Sequence, residues 1–273
     1  MSEGGALSFE SVAGVLSLLG RHDSLAAASA ALPDGAYTTL RTYGGNSVVR
    51  LDQHLARLEE SLALKGTPER IDPAAVRAAL GKALKGSGNA ESRVRLTLAP
   101  PRLFIAVEAF APLPEWLYTE GAACATLELE RANPRAKDTR FIATAQEAYE
   151  RLPEGVEEGL LVAPDGAVLE GLSSNFFAIH RGALRTEEAR ALAGVTRSLA
   201  LEVAEALLPI WRVAVKRDEL PRVDEAFITS VSREVLPVVR IDGRPTARGR
   251  VGAHTRAIMQ GFAALVARER ETL

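Results

Sequence analysis

The chain has 273 residues, about twice the ~100–150 residues at which single domains cluster, so two domains are expected. With 47% hydrophobic and 25% charged residues it has the composition of a globular protein, which excludes an intrinsically disordered chain. A formal net charge of −2 argues against nucleic acid or an anionic membrane as the main partner, so we expect a small-molecule ligand.

Cysteine and histidine usage narrows the chemistry further. The single cysteine, Cys124, permits no internal disulfide, and the four histidines are scattered without ligand spacing, so no metal site is predicted. The opening residues have no basic region followed by an apolar run, and eighteen apolar residues never occur together. We therefore expect neither an export signal nor a membrane span, and a cytoplasmic location.

The first part of the chain reads as an α+β unit. Residues 37–49 predict a β-hairpin that turns at Gly44-Gly45-Asn46. Asp52 is then predicted to cap a helix that ends at Gly66 and presents three leucines on one face. These leucines are Leu55, Leu58 and Leu62.

A second helix and two strands complete this unit. Asp72 before Pro73 is a favoured pair at a helix start, and the helix is predicted to run to about Lys85. Residues 93–99 and 103–110 alternate as two strands around a proline pair. We predict a smaller N-terminal domain over residues 1–112.

The proline-containing segment 111–116 is the predicted linker, and a strand-rich larger domain is predicted over residues 117–273. Its expected elements are a strand at 123–130, a helix at 140–152, hairpins turning at Asp165-Gly166, Arg181-Gly182 and Asp242-Gly243, and late helices at 195–208 and 252–268.

Glu170 is the first candidate functional residue. Strand alternation places its carboxylate on the same side as Val168, where an apolar interior is expected. A buried carboxylate needs a partner. The alternative left open by the sequence is an exposed edge charge beside a polar Ser173-Ser174-Asn175 loop.

Two further positions are suited to bind an anion. Thr196 lies in the first turn of a predicted helix, whose free N–H groups favour phosphate, although an ordinary capping role for Thr196 is equally consistent. Arg57 lies one turn after His54 on the leucine-bearing helix and has the fork geometry that binds phosphate. The alternative for Arg57 is a solvated helix face paired with Glu60.

Lysine is rare, since only five of the 33 basic residues are lysines. Lys137 differs from the others because it ends an irregular segment between a strand and a helix, where a scaffold presents catalytic groups. The alternative is an ordinary surface lysine in a loop.

Taken together, these segments resemble the class IV aminotransferase family, the fold-type IV enzymes that use pyridoxal 5′-phosphate. The family includes branched-chain and D-amino-acid aminotransferases and 4-amino-4-deoxychorismate lyase. The resembling segments are residues 35–61, Lys137 in its loop, and residues 157–186, 193–205 and 224–243. The resemblance implies an α+β chain with a smaller N-terminal α/β sandwich, a larger C-terminal β-barrel-like domain with flanking helices, and a homodimer.

The resemblance also implies roles for individual residues. Lys137 is the Schiff-base lysine, which works as a proton carrier when its pKa falls well below ~10.4. Glu170 holds the pyridine nitrogen protonated, and Arg57 binds the phosphate. The remaining phosphate-side positions are Val195, Thr196, Ser230, Val231 and Ser232, and the substrate-side positions are Tyr37, Thr38 and Arg95.

The expected reaction moves an amino group between an amino acid and a 2-oxo acid. Thr38 stands where aminotransferases of the family commonly carry glutamate, a feature shared with deoxychorismate lyases. The lyase, which expels pyruvate and gives 4-aminobenzoate, is therefore the alternative, and a non-catalytic cofactor-binding protein is a second one. The residues before Gly35 are expected to form a divergent, partly helical start in place of the family's opening hairpin.

Overall fold

The structure is a computed structural model that describes residues 5–12 and 14–273. In chain order the strands are β1 (Ala6–Val12), β2 (Val15–His22), β3 (Ala36–Arg41), β4 (Ser47–Val49), β5 (Ser92–Ala99), β6 (Arg102–Ala109), β7 (Ala122–Leu127), β8 (Glu158–Val162), β9 (Val168–Gly171), β10 (Asn175–His180), β11 (Ala183–Arg185), β12 (Ile210–Trp211), β13 (Glu225–Ser230), β14 (Glu234–Ile241), β15 (Arg244–Pro245) and β16 (Arg270–Thr272). The α-helices are α1 (Leu25–Ala30), α2 (Leu51–Leu64), α3 (Pro73–Ser87), α4 (Trp116–Thr119), α5 (Arg140–Glu150), α6 (Val195–Glu205) and α7 (Ala253–Glu269). Short 3₁₀ helices lie at Arg217–Arg222 and Ala247–Gly249.

The described residues divide into two compact units. Unit 1 comprises residues up to Ala111 together with Ala136–Ile142 and Glu269–Leu273. Unit 2 comprises Pro112–Arg135 and Ala143–Arg268. The predicted domains, 1–112 and 117–273, stay a prediction. The structure differs from them in placing two later segments, Ala136–Ile142 and Glu269–Leu273, in unit 1.

Unit 1 is built on an antiparallel sheet which, within the described residues, runs in the order β2-β1-β6-β5-β3. The helices α2 and α3 bury their apolar faces with residues of this sheet, as the spacing of their leucines predicts. Asp72 accepts a hydrogen bond from the N–H of Ala74, which confirms it as the residue that caps α3.

Three local predictions in unit 1 are wrong. Residues 37–49 do not form a two-stranded hairpin, because β3 pairs with β5 whereas β4 pairs with β16, and only the bridge Tyr43–Ser47 closes the turn. Asp52 lies inside the first turn of α2, and Arg50 precedes the helix with a left-handed φ of 50°. The start of the chain is partly helical as predicted, but the expected loss of the opening hairpin is wrong, because β1 and β2 form an antiparallel pair before α1.

Unit 2 contains a mixed sheet that, among the residues described, follows the order β12-β11-β10-β13-β14-β7-β8-β9, with β15 paired to β14. The three predicted hairpin turns are confirmed, because β8 pairs with β9, β10 with β11, and β14 with β15, all antiparallel. Phe177 and Phe227 stack at 4.6 Å between ring centroids in the sheet interior. Gly261 of α7 faces Val203 of α6 so closely that a Cβ there would meet the valine methyl group.

No helix in residues 5–12 and 14–273 combines the length and the apolar character needed to cross a membrane.

Candidate active site

The backbone around Lys137 lies along the outer strand of the unit 1 sheet. The N–H of Tyr37 donates to the carbonyl of Lys137 at 2.9 Å, and the N–H of Thr139 donates to the carbonyl of Gly35 at 3.1 Å. Ala36 and Asp138 form an antiparallel bridge between these bonds. An outer strand has free backbone groups that accept such a segment. The lysine is therefore held on a sheet edge, and is not an ordinary lysine in a solvated loop.

The side chain of Lys137 lies against an aromatic ring. Its Nζ is 4.7 Å from the centroid of Tyr37, a buried residue of β3. The guanidinium carbon of Arg95 is 4.9 Å from the same centroid. Arg95 donates to Ser29 Oγ at 2.7 Å and to the carbonyl of Leu25 at 3.2 Å, so its charge is directed toward α1. The structure thus brings together Lys137, Tyr37 and Arg95.

Arg57 is a buried cation, with 8% of its surface exposed, on the sheet-facing side of α2. Its Nη2 donates to Thr38 Oγ1 at 2.6 Å, and Thr38 Oγ1 lies 2.8 Å from His54 Nδ1. Thr38 is fully buried at 0% exposure, so its hydroxyl is committed to Arg57 and His54. The alternative of a solvated Arg57 is wrong. Buried arginines are rare unless they are paired or bind an anion.

His54 is held neutral. Burial lowers its pKa well below the ordinary 6.5, and the nearby charges of Arg57 and Lys137 lower the pKa further. A neutral imidazole leaves Arg57 and Lys137 as the positive groups of this cluster, which favours an anionic ligand.

Acid is expected to destabilise the fold through His54. Below about pH 6.5 the unfolded chain takes up a proton that folded His54 refuses, so the free energy of unfolding falls as pH drops, by at most about 1.4 kcal/mol per pH unit. His54→Asn keeps an acceptor beside Thr38 and removes this contribution. Urea unfolding between about pH 7 and 5 measures it. Equal pH slopes for the two proteins would contradict the assignment.

In unit 2, Glu170 is a buried carboxylate of β9, with 2% of its surface exposed. One carboxylate oxygen lies 3.3 Å from Arg131 Nε, and the other accepts from the N–H of Leu192 at 3.1 Å. Strand alternation predicted this burial, and the alternative of an exposed edge charge is wrong. Arg131, which the sequence did not single out, partly neutralises the carboxylate.

The first turn of α6 has the features of an anion seat. Gly194 precedes the helix and supplies no side chain to cap it, and Val195 and Thr196 are buried in the first turn. Thr196 is therefore inside the helix and is not its capping residue. A Cβ on Gly194 would meet Asn175 Oδ1, so only glycine permits this close approach. The helix start thus has N–H groups without a side-chain cap.

Beside this turn lies a buried hydroxyl without a hydrogen-bond partner among the described residues, Thr229 Oγ1. Thr229 pairs directly across the sheet with Asn175, so both side chains lie on the same face. Ser230 Oγ accepts from the N–H of Arg233, and Ser230, Val231 and Ser232 form the end of β13 and the turn after it. The sequence pointed to the three turn residues and missed Thr229.

A buried polar network holds this turn, and sequence reasoning missed it. Glu158 is fully buried and pairs with Arg233 Nη1 at 3.0 Å. Tyr149 Oη donates to Glu158 at 2.6 Å, and Ser174 Oγ donates to it at 2.8 Å. Burial and the charge of Glu158 raise the pKa of the Tyr149 phenol. The only sequence signal was the charge of Arg233 immediately after the polar 229–232 segment.

The sequence model of the family described as "Amino-transferase class IV" matches residues 35–241, and this range contains every candidate site residue. The chain belongs to that family. A branched-chain-amino-acid aminotransferase of Pseudomonas aeruginosa is 34% identical over 140 residues, which cover 50% of this chain and 46% of that protein. D-alanine aminotransferase of Bacillus licheniformis is 29% identical over 242 residues, which cover 82% of this chain and 85% of that protein.

The class IV fold is also found by comparison of structures. A solved T.th. branched-chain amino acid aminotransferase with pyridoxamine 5′-phosphate superposes with a TM-score of 0.80 at 22% identity, covering 98% of each chain. The branched-chain aminotransferase of Thermoproteus uzoniensis with norvaline gives 0.79 at 24% identity, covering 97% of this chain and 96% of that one. The predicted fold class, fold-type IV with a curled sheet in unit 2, is confirmed. The chain spans about half the length of the Pseudomonas relative.

Proposed function

We propose that this chain is a pyridoxal-phosphate-dependent aminotransferase in which Lys137 is the Schiff-base lysine. The observation that carries the proposal is the amine of Lys137, held on the edge of β3 beside buried Arg57 and neutral His54. Membership of the class IV family and solved relatives that carry pyridoxamine 5′-phosphate support the cofactor. The bound cofactor supplies an electron sink for the carbanion formed at the substrate Cα.

The residues present fit a phosphate group. In unit 1, Arg57 offers a guanidinium in a buried setting. In unit 2, the uncapped start of α6 offers the N–H groups of Val195 and Thr196, and the unpartnered hydroxyl of Thr229 is the kind of orphaned polar atom that a ligand satisfies. Ser230 and Ser232 add hydroxyls, and Val231 contributes its backbone N–H.

The residues present also fit the protonated pyridine nitrogen of the cofactor. Glu170 is a buried carboxylate that accepts one backbone N–H and lies beside Arg131 Nε, so its side chain is held in place. A carboxylate of this kind stabilises positive charge on a nitrogen that donates to it. Glu170 would therefore be the residue that holds the protonated pyridine nitrogen of a bound cofactor.

Lys137 acts as the proton carrier. With the cofactor bound, its Nζ would accept the proton that leaves the substrate Cα and would donate it back later in the reaction. General acid–base transfer of this kind contributes roughly 10²–10⁴-fold to a rate. Tyr37 restricts where the amine can lie, since the ring stands 4.7 Å from Nζ.

For the substrate we propose a branched-chain L-amino acid as donor and 2-oxoglutarate as acceptor, in a homodimeric enzyme. The names of the relatives in Pseudomonas aeruginosa and Thermoproteus uzoniensis support the donor class. Tyr37 and Arg95 are the proposed substrate-side residues. Thr38 is the third proposed substrate-side residue. It acts through Arg57, because its hydroxyl accepts a hydrogen bond from that side chain.

Product analysis tests this function. The purified protein, loaded with the cofactor, is expected to convert leucine, isoleucine or valine plus 2-oxoglutarate to glutamate faster than it converts D-alanine. Aminodeoxychorismate is supplied in a parallel reaction, and release of pyruvate and 4-aminobenzoate there would establish the lyase instead. A protein that binds the cofactor and yields neither product would be the non-catalytic alternative. Gel filtration tests the dimer.

A further inference from the structure

Four polar side chains follow one face of α2 and its end, and we call them the polar stripe. They are His54, Arg57, Ser61 and Lys65, spaced by three, four and four positions, so they lie above one another on the helix. His54, Arg57 and Ser61 are buried, and the Lys65 side chain is 12% exposed. Polar groups on the buried face of a helix are costly unless each one has a partner. The partners of these four side chains therefore show which segment of unit 1 the polar stripe holds in place.

The C-terminal half of the polar stripe, Ser61 and Lys65, contacts the segment that carries Lys137. Ser61 Oγ accepts from the backbone N–H of Lys137 at 3.1 Å and donates to the carbonyl of Arg57 at 2.8 Å. Lys65 Nζ forms an ion pair with Asp138 at 2.6 Å. Two successive residues of the lysine segment are thus fastened to the same helix, one through its backbone and one through its side chain.

The opposite side of the same segment is fastened to β3. The carbonyl of Lys137 accepts from the N–H of Tyr37, while its own N–H donates to Ser61. Both backbone polar groups of Lys137 are therefore fixed, each by a different element of unit 1. Fixing a peptide at both groups sets the direction of the Cα–Cβ bond and leaves only the side-chain torsions free.

The negative charge of Asp138, which pairs with Lys65, does not change over the pH range of an enzyme assay. Burial raises the pKa of Asp138, but hydrogen bonds from Arg140 and Lys65 outweigh it and bring the pKa to about 2. Asp138 is therefore ionised throughout the range in which such an enzyme is assayed. Lys65 is also placed at the end of α2, where the helix dipole favours a positive charge.

We propose that Ser61 and the Lys65–Asp138 pair are positioning residues for Lys137. They fix the backbone that carries its amine, so that Nζ can reach the substrate Cα. As positioning residues they act on the segment that carries the lysine, Ser61 through the N–H of Lys137 and Lys65 through the side chain of Asp138. The proposal rests on the proposed function of Lys137. It assigns a role to Lys65, a second lysine that nothing in its own sequence surroundings singles out.

The test uses the cofactor-loaded full chain and three variants, Ser61→Ala, Lys65→Met and Asp138→Asn. Because none of the proposed phosphate-binding residues is substituted, the dissociation constant for pyridoxal phosphate is expected to stay within about threefold. Displacement of the amine is expected to lower kcat by about 10- to 100-fold with little change in KM. The pH at which the visible absorbance of the bound cofactor titrates is expected to shift, which a loss of stability alone would not cause.

Matched controls separate positioning from general damage. Lys82→Met removes an exposed lysine of α3 and is expected to leave kcat and absorbance unchanged. Lys65→Arg retains the charge and is expected to restore most of kcat. The double variant Lys65→Met/Asp138→Asn is expected to lose no more activity than Asp138→Asn alone, because Lys65→Met breaks a pair that Asp138→Asn has already broken.

The outcomes are distinct. If Ser61→Ala does not fold, the Lys65 and Asp138 variants decide the question. Wild-type kcat and an unshifted absorbance titration in folded Lys65→Met and Asp138→Asn would overturn the positioning role. A wild-type chain that binds no pyridoxal phosphate, or that binds it without a covalent bond to Lys137, would instead overturn the proposed function.

Discussion

Replacing Lys137 with alanine is expected to lower kcat by at least about 10²–10⁴-fold, the share of the rate that a positioned proton carrier supplies. The amine lies on the edge of β3 beside Tyr37. No other lysine of unit 1 takes its place, because Lys65 is bound to Asp138 and both Lys82 and Lys85 are exposed on α3. Turnover of a branched-chain amino acid with 2-oxoglutarate measures the loss. The cofactor itself is expected to bind without covalent attachment.

Borohydride reduction followed by peptide mass spectrometry provides the control. In the wild-type chain the cofactor is expected on the peptide that contains Lys137, and in Lys137→Ala on none. Lys82→Ala is expected to behave as the wild type. Full turnover by Lys137→Ala, or covalent label on Lys65, would contradict the assignment.

Glu170 is expected to have the second largest effect, and its two substitutions separate chemistry from stability. Glu170→Gln retains shape but not charge, and is expected to reduce kcat roughly 10²–10³-fold, the size of a preorganised electrostatic contribution. Glu170→Ala also leaves Arg131 buried without its carboxylate, and is expected to cost about 3–5 kcal/mol of unfolding free energy. Steady-state kinetics and urea unfolding measure the two effects.

The chain offers a matched control for Glu170. Glu158 is an equally buried carboxylate paired with an arginine, Arg233, at 3.0 Å. Glu158→Gln is expected to lower stability by a similar route. Because Glu158 and Arg233 hold the phosphate-side turn, cofactor affinity is expected to fall as well, while the absorbance maximum of the bound cofactor, which reports on the ring, stays unchanged. If Glu158→Gln and Glu170→Gln alter the spectrum alike, Glu170 has no special relation to the cofactor ring.

Features set by neighbours in the sequence were predicted well. The Asp72 cap, the leucine face of α2 and the three glycine turns of unit 2 each depend on residues within a few positions of one another. Burial of Glu170 followed from alternation along a single strand. The anion-binding roles of Arg57 and Thr196 stay predictions, although the structure buries both residues.

Features set by distant partners were not predicted. The pairing of β4 with β16 joins residues more than two hundred positions apart, so the glycine turn at 44–46 suggested a hairpin that tertiary pairing overrides. Lys65 was not selected from the sequence, because its partner Asp138 lies far along the chain. Glu158 and Arg233 are separated in the same way, and only the folded sheet brings them together.

The discontinuity of unit 1 has a consequence for biosynthesis. Arg50 pairs with Glu269 at 2.6 Å, the N–H of Leu51 donates to Glu271, and β4 gains its partner strand only from residues 270–272. On the ribosome, where N-terminal parts generally fold first, residues 5–111 emerge without the segment that carries Lys137 and without β16. During synthesis, β4 and the outer edge of β3 therefore stay unpaired until the later segments emerge. At this stage we expect chaperone binding and aggregation to compete with folding.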